Sequence, residues 1–326
     1  MRRQHLAALA LPGLLALGLT ACTNASAADT ANGSASAAGG SAPSSAAASQ
    51  GTSGGQGDLT QPVATTEGAA AKLVPADLKG SGTLRVAMDA SYAPFEYFAK
   101  DNKTIIGFDA DLSKAIGAKM GLKVVDVNAG FDTILAGIGS GKFDLGMSAF
   151  SVTPERTKSV DFVTYLDGGT GIAVPAGNPK HLTMNPKHLC GLAIAGQKGS
   201  IQGLNYLPQF SKDCQKAGKQ PIKVELYPSQ NEANLAVSSG RADAVMADSI
   251  SMAYQSKLSG GAMELAPGAD YEPTPTGVAM PNGSKLAPAI SKAMHELVAD
   301  GTMKKIMNKW GIPSQALSAN VGKITR

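Results

Sequence analysis

Charged residues are scarce in this sequence of 326 residues, of which only 17% are Asp, Glu, Lys or Arg. The formal net charge is +4, which is too small for the concentrated basic surface that binds nucleic acid. After the first 22 residues, no apolar run is as long as the one at the start of the chain. These two absences exclude a nucleic-acid partner and a protein with several membrane spans.

Cysteine and histidine are also rare, with three Cys and four His in the chain. The two His that lie near Cys residues, His181 and His188, do not match the spacing of a zinc site. A Gly-rich run at 137–142 follows a helix pattern and precedes a strand pattern, which is the reverse of the order in a phosphate-binding loop. We therefore expect no metal and no cofactor.

Residues 1–22 have the pattern of an export signal. A basic start precedes an apolar stretch at 6–19, which is about the length of a secretory signal core. The segment ends in Leu-Thr-Ala-Cys at Cys22, and this resembles the bacterial lipobox, in which the Cys carries lipid and becomes the first residue. An ordinary cleavage site and a retained membrane anchor are the alternatives. The lipobox predicts an extracytoplasmic protein attached to the cell membrane through lipid on Cys22.

Residues 23–72 have the composition of a flexible linker. Ala, Gly and Ser dominate, and between 23 and 70 the only charged residues are Asp29, Asp58 and Glu67. A segment with so little apolar surface cannot offset the entropy lost on ordering. We predict a disordered tether that ends at residue 72, where the folded module begins.

Two cysteines remain beyond the tether, Cys190 and Cys214. An exported protein meets an oxidising environment, so an even pair of cysteines predicts a disulfide. Two buried free thiols are the alternative.

From residue 80 onward, short strand patterns alternate with amphipathic helix patterns. The first series has strands at 83–88, 123–127 and 144–148 and helices at 108–120 and 131–138. The second has strands at 192–195, 222–226 and 244–247 and helices at 200–216, 231–239 and 250–258. Helices at 284–299 and 302–310 close the chain. Two such series predict an α/β fold with two lobes and largely parallel sheets. Ligands bind beyond the carboxyl ends of such strands, so we expect a cleft between the lobes.

Several motifs along 80–326 resemble, in unbroken order, the amino-acid-binding proteins of ABC importers, solute-binding protein family 3. They are GTLRVAMDASYAPFE at 82–96, GFDADL at 107–112, GKFD at 141–144, SAFSVTPER at 148–156, VDF at 160–162, KGS at 198–200 and GRADAVMAD at 240–248. The resemblance implies a type II, two-lobed periplasmic-binding-protein-like fold with a two-strand hinge. The first lobe is then 80–168 plus 276–326, and the second lobe is 171–272. A lipobox and tether suit a Gram-positive member, which has no outer membrane to retain a free binding protein.

The resemblance assigns the α-carboxylate of an amino acid to Arg156, with Ser148, Ser151 and nearby backbone N–H groups beside it. Arg suits this role because its planar fork donates two parallel N–H bonds to a carboxylate. From the residues alone, a surface Arg paired with Glu155 or Asp161 is an equal alternative.

Two residues of the second lobe complete the implied clamp. The resemblance assigns the α-ammonium to Asp248, at the end of a strand pattern, although Asp248 is also placed to cap the helix that follows. It assigns a carboxylate contact to Ser200, because N–H groups at a helix start bind anions. A helix cap alone is the alternative for Ser200.

The remaining candidates surround the ligand side chain. Aromatic residues usually belong to a core, but Tyr92 and Phe131 match positions that flank the ligand in the family. Phe150 is a further candidate wall. Asp89 is placed for a polar or cationic side chain, and Gln197 occupies a position that often sets specificity.

These residues predict a receptor that binds a free L-amino acid, polar or basic, and delivers it to the permease subunits of an ABC importer. An acidic ligand would need another cation, and the only candidate, Lys198, is expected to point outward. We expect a monomer and no enzymatic activity. The alternative is an exported enzyme on the same fold, such as a cyclohexadienyl dehydratase, with Glu96 or Asp89 as the acid–base group.

Overall fold

The computed structural model describes residues 58–326. The predicted signal segment with Cys22 and most of the predicted tether, 23–57, lie outside the described residues. Among residues 58–326, no helix combines the length and apolar character needed to cross a bilayer.

The strands are short except for two that cross between the lobes. They are β1 Thr83–Met88, β2 Ser91–Tyr92, β3 Glu96–Phe98, β4 Ile105–Ile106, β5 Lys123–Asn128, β6 Leu145–Gly146, β7 Val160–Pro175, β8 Ala193–Gln197, β9 Lys223–Tyr227, β10 Ala244–Asp248, β11 Met263–Leu265, β12 Tyr271–Pro281 and β13 Ile324–Thr325.

The helices cover both faces of the strands. They are α1 Ala76–Ser81, α2 Phe108–Lys119, α3 Phe131–Gly139, α4 Pro154–Thr157, α5 Leu207–Lys216, α6 Gln230–Ser238, α7 Ser249–Leu258, α8 Ala287–Ala299 and α9 Thr302–Trp310. Short helical turns of other types lie at Ala69–Leu73, Pro186–His188, Gln202–Tyr206 and Ser314–Ala316.

One mixed sheet runs through both lobes, in the order β5-β1-β6-β12-β7-β10-β8-β9. The pairs β1 with β5 and β6, and β8 with β9 and β10, are parallel, as the alternating pattern predicts. The lobes are joined where β7 and β12 pair antiparallel, with an irregular register between Tyr271 and Thr274. The predicted two-lobed α/β fold with a two-strand hinge is confirmed, but the lobes share one sheet instead of having one each.

Apolar periodicity explains the helices that support the first lobe. Phe108, Leu112 and Ile116 of α2 are fully buried, and α2 ends before Gly121, whose φ of +66° suits only glycine well. In the second lobe, Phe210 of α5 packs edge-on against Tyr271 with ring centres 5.0 Å apart. Buried apolar side chains thus hold α2 in the first lobe and α5 in the second.

The helix predicted at 200–216 is interrupted at its start. Residues Gln202–Tyr206 form a wide π-type turn, and the regular helix α5 begins only at Leu207. Pro208 explains the change, because it has no N–H to donate to the carbonyl four residues earlier and its ring crowds that carbonyl. The strand predicted at 144–148 is likewise reduced to Leu145–Gly146.

The end of the predicted tether packs on the first lobe. Ala70 is fully buried, and Leu59 and Val63 pack against the main apolar core. The Lys309 ammonium donates to the Gln61 carbonyl at 2.6 Å. The structure thus differs from the prediction of a tether through residue 72, because a few well-spaced apolar residues from 58 onward are enough to hold this segment against the lobe.

Cys190 and Cys214 form a disulfide, with Cα atoms 5.5 Å apart. The predicted bridge is confirmed in the structure. It joins the loop after Pro186–His188 to α5 and closes a loop across 24 residues of sequence separation. A disulfide that closes a loop of that length stabilises the folded state by about 3 kcal/mol in the chain-entropy model.

Candidate functional site

A cavity lies between the two lobes, next to the hinge, and both lobes line it. Its lining residues are Tyr92, Phe131, Ser148, Ala149, Ser151 and Arg156 of the first lobe and Gln197, Ser200, Ile201, Gln202 and Asp248 of the second. Eight of the ten candidate binding residues from the sequence are therefore brought together. The other two, Asp89 and Phe150, lie behind the wall of the cavity.

Arg156 is held by a short helix that the sequence encodes locally. Thr153 caps α4 by accepting the Arg156 N–H at 3.3 Å, and Pro154 occupies the first helical position. Pro fits there because its fixed φ suits a helix start. From this helix the Arg156 side chain lines the cavity and reaches the Gly199 carbonyl of the second lobe.

The Arg156 guanidinium has backbone partners but no acidic one. It donates to the Ser151 carbonyl at 2.9 Å and to the Gly199 carbonyl of the other lobe at 3.1 Å. Its centre lies 5.6 Å from the Phe131 ring and 5.4 Å from the Phe150 ring. Within residues 58–326 no carboxylate pairs with it, and burial lowers its pKa to about 10. A buried cation without a counter-charge is stabilised by an anionic ligand.

Asp248 both caps a helix and faces the cavity. Its Oδ1 accepts the N–H groups of Ile250 and Ser251 at 2.9 and 3.3 Å, so the helix-cap alternative is also realised. Its Oδ2 accepts no hydrogen bond from residues 58–326. A Cβ atom at Gly168 would lie only 2.6 Å from this Oδ2 atom. The absence of a side chain at Gly168 therefore leaves space for the Asp248 carboxylate.

Burial, and to a smaller extent the nearby Asp270 carboxylate, raises the pKa of Asp248 to about 7. The bonds from the Ile250 and Ser251 N–H groups act in the opposite direction. A cationic partner at Oδ2 would favour the ionised form. The free oxygen is thus suited to an ammonium group.

Asp89 is engaged by protein groups on both of its oxygens. Ser91 donates its hydroxyl to Oδ1 at 2.7 Å, and the Phe131 N–H and the Gln197 amide donate to Oδ2 at 3.0 and 2.8 Å. Burial is the main cause of its raised pKa. Gln197 belongs to the second lobe, so this bond also joins the two lobes. Gln197 therefore separates the Asp89 carboxylate from the cavity.

Ser200 stabilises the turn at the start of its helix. Its hydroxyl donates to the Gln197 carbonyl at 2.7 Å and accepts the Gly203 N–H at 3.0 Å. The preceding Gly199 has φ of +84°, and a Cβ there would lie 2.9 Å from the Cα of Asp132. Only glycine allows the two lobes to approach so closely. Lys198 points outward, as expected, and pairs with Asp132 at 2.8 Å with 62% of its side chain exposed.

The aromatic candidates divide into wall and support. Tyr92 and Phe131 line the cavity, and the Tyr92 hydroxyl accepts the Asp248 N–H of the opposite lobe at 2.9 Å. Phe150 is fully buried and stacks on Phe131 with ring centres 4.8 Å apart. Phe150 therefore supports Phe131 and Arg156 from behind.

Three lining residues were not found from the sequence: Ala149, Ile201 and Gln202. Gln202 is buried and donates to the Thr170 hydroxyl at 2.9 Å. No motif distinguishes an Ala, an Ile or a Gln of this kind. Only the fold brings them to the cavity.

A metal centre has no support in the described residues, among which no three or more His, Cys, Asp or Glu side chains are grouped to bind an ion. One cation, Arg156, and one carboxylate, Asp248, face the cavity from opposite lobes. This arrangement is complementary to a zwitterion.

Residues 84–313 match the family model of bacterial extracellular solute-binding proteins, family 3. The arginine-binding protein ArgT of Corynebacterium glutamicum is 32% identical over 240 residues, which are 74% of this chain and 78% of that protein. The arginine-binding extracellular protein ArtP of Bacillus subtilis is 27% identical over 235 residues, 71% of this chain and 87% of that protein.

Two solved structures are similar over most of the folded module. An ancestral arginine-binding protein bound to arginine is 33% identical, with a TM-score of 0.63, and the match covers 70% of this chain and 98% of that one. The ancestral amino-acid-binding protein AncCDT-1, a precursor of cyclohexadienyl dehydratase, is 32% identical with a TM-score of 0.61, covering 72% and 97%.

Proposed function

This chain belongs to the bacterial extracellular solute-binding proteins of family 3, and on that premise we propose that its ligand is a basic L-amino acid, with L-arginine first. The chain binds a free L-amino acid outside the cytoplasm and delivers it to an ABC importer. The observation that carries the proposal is the pair of opposite charges, Arg156 and Asp248, on opposite walls of one cavity. An amino acid bridges them with its α-carboxylate and α-ammonium groups.

The charge behind the cavity supports a basic side chain. Two further carboxyl groups that can carry negative charge, Asp89 and Asp109, are buried in the first lobe beside the site. Lys198 is turned to solvent, so it adds no compensating cation. A ligand with one extra positive charge is therefore favoured over an acidic one. The relatives named as arginine-binding proteins agree with this choice.

Contacts between the lobes support closure around the ligand. The Ser251 hydroxyl donates to the Ala93 carbonyl at 2.7 Å, and the Gln230 N–H donates to the Ser91 hydroxyl at 3.2 Å. These two hydrogen bonds, and the hydrogen bond between Gln197 and Asp89, can form only when the two lobes are closed on each other. A ligand held by both Arg156 and Asp248 binds the closed form more tightly than the open form. This difference in affinity shifts the equilibrium between the two forms toward the closed one.

The delivery step follows from the proposed anchor. Lipid on Cys22 would hold a monomeric receptor at the outer face of the cell membrane, beside the permease subunits that accept the amino acid. The segment 23–57 would set the distance between the anchor and the folded module.

The ligand assignment is tested by a thermal-shift panel of the twenty L-amino acids on the purified protein. L-Arginine is expected to give the largest increase in Tm, because a ligand at 100 times its Kd stabilises the folded state by about 2.7 kcal/mol. D-Arginine is the matched control, since it carries the same charges in the wrong geometry. The largest shift with glutamate or aspartate, or no shift with any amino acid, would contradict the proposal.

An enzyme on the same fold has less support from the geometry. Glu96 is fully buried and accepts the Ser148 hydroxyl at 2.6 Å, and Asp89 is covered by Gln197. Neither carboxyl reaches the cavity as an acid–base group must. Turnover of prephenate or arogenate in a separate activity assay of the purified protein would favour the enzyme instead.

A further inference from the structure

Two carboxyl groups that the binding site does not use are buried side by side in the first lobe. Glu96 begins β3 and Asp109 lies in the first turn of α2, and both are 0% exposed. One oxygen of each has protein partners. Glu96 Oε1 accepts the Ser148 hydroxyl at 2.6 Å, while Asp109 Oδ2 accepts the Ala149 N–H at 2.8 Å and the Tyr165 hydroxyl at 2.9 Å.

The other two oxygens have no donor. Glu96 Oε2 and Asp109 Oδ1 are buried and accept no hydrogen bond from any N–H or O–H group of the part of the chain that the structure describes. The two side chains are neighbours, because the Asp109 N–H donates to the carbonyl of Phe95, the residue before Glu96, at 2.8 Å. The adjacent residues Ser148 and Ala149 each hold one oxygen of the two carboxyl groups. Within residues 58–326, no Lys or Arg forms an ion pair with either group. Two adjacent carboxylates without a cation repel each other strongly, whereas one proton between them makes a short, charge-assisted bond.

We propose that Glu96 and Asp109 share one proton, and that this carboxyl pair positions the Ser148–Ala149 wall of the ligand cavity. The proton lies on Glu96 Oε2 and is donated to Asp109 Oδ1. The pair then carries a single negative charge, and every one of its four oxygens takes part in a hydrogen bond.

The environment of each group explains why the proton resides on Glu96. Burial, followed by the charge of Asp109, raises the pKa of Glu96 well above its ordinary value. Burial raises the pKa of Asp109 to about 7, but the bonds from Ala149 and Tyr165 act in the opposite direction. The titratable groups that face the pair from neighbouring elements are Asp89, Tyr92, Tyr165 and Asp248.

The pair acts on ligand binding through two residues that line the cavity. Ala149 has φ of +46°, a left-handed conformation that costs a non-glycine residue free energy. Its N–H is fixed on Asp109, and the Ser148 hydroxyl is fixed on Glu96 while it accepts the Asp89 N–H at 3.1 Å. Glu96 and Asp109 are therefore positioning residues for this wall of the site.

Amide substitutions test the shared proton. In Glu96→Gln, the amide N–H₂ replaces the proton and donates to Asp109 Oδ1, and in Asp109→Asn the amide donates to an ionised Glu96. Each single variant is expected to bind L-arginine within about threefold of the parent. The double variant must place two N–H₂ groups face to face or turn one amide over and lose a bond to Ser148 or Ala149. We expect it to lose at least about tenfold in affinity beyond the sum of the singles.

A pH profile of unfolding separates this role from simple packing. A buried Glu whose folded pKa is raised contributes stability that is complete below its ordinary pKa of 4.5 and is lost as the pH rises through the folded value. The parent is expected to show this loss in denaturant titrations, and Glu96→Gln is expected to show a flatter profile. Asp248 contributes to both proteins alike and cancels in the difference.

An unchanged pH profile in Glu96→Gln, or a double variant that equals the sum of the singles, would overturn the shared proton. Failure of both single variants to fold would overturn it as well, because each amide restores the missing hydrogen bond. The unfolding profile needs no ligand, so its outcome is independent of the identity of the amino acid.

Discussion

Arg156→Lys weakens the binding of every amino-acid ligand by at least about 30-fold, the equivalent of about 2 kcal/mol for a disrupted buried charge pair. Arg156 donates to the Ser151 and Gly199 carbonyls and still presents donors to the cavity. A Lys ammonium is a point charge with three donors, and it cannot hold both carbonyls and bind a carboxylate through two parallel bonds. Calorimetric titration of parent and variant measures the change.

Arg85→Lys is the matched control, because Arg85 pairs with Asp144 at 2.7 Å and 46% of its side chain is exposed. It lies on β1, away from the cavity, and its substitution is expected to leave the affinity unchanged. If Arg156→Lys binds ligand as tightly as the parent, Arg156 does not bind the ligand carboxylate. Equal losses in both variants would indicate a general effect on the fold.

Asp248→Asn reduces affinity by a similar factor, at least about 30-fold, because a neutral amide offers no counter-charge to the ammonium. The effect on stability is expected to be small. Asn is as good a helix cap as Asp, so the bonds to the Ile250 and Ser251 N–H groups are retained. Calorimetry for affinity and thermal unfolding for stability thus separate the two roles of this residue.

Asp243→Asn is the control for this variant. Asp243 precedes the same strand, β10, and pairs with Lys180 at 2.6 Å on the side away from the cleft. Its substitution is expected to leave ligand affinity unchanged. Parent-like affinity in Asp248→Asn would show that the ammonium binds elsewhere, whereas a large drop in Tm would show that the cap needs the charge.

Long periodic elements were predictable, and very short ones were not. The bounds of β1 and α9 agree with the sequence prediction because their apolar residues recur at the strand or helix period. The three-stranded sheet of β2, β3 and β4 was missed, since strands of two or three residues have no measurable period. The two-strand hinge was expected from the resemblance, but the length of β7 and β12 is set by their mutual pairing.

The two-charge clamp was predicted through the family resemblance, because the residues alone left Arg156 open to a surface ion pair and Asp248 open to a helix cap. Arg156 and Asp248 both face the cavity. The positions of the residues around these two charges were harder to predict from the sequence. Asp89 contacts Gln197 because the lobes approach closely, and local sequence does not show how closely they approach. Phe150 supports the cavity wall because it packs behind Phe131, and that packing is a property of the whole fold. Neither is encoded in local spacing.

The most direct test of the two-charge clamp is a calorimetric titration of the parent protein with L-arginine and with two arginine analogues. One analogue lacks only the α-ammonium group, and the other lacks only the α-carboxylate group. The account predicts one molecule of L-arginine per chain, with each analogue bound at least about 30-fold more weakly because it leaves Asp248 or Arg156 unpaired. Analogues that bind as tightly as L-arginine would contradict it.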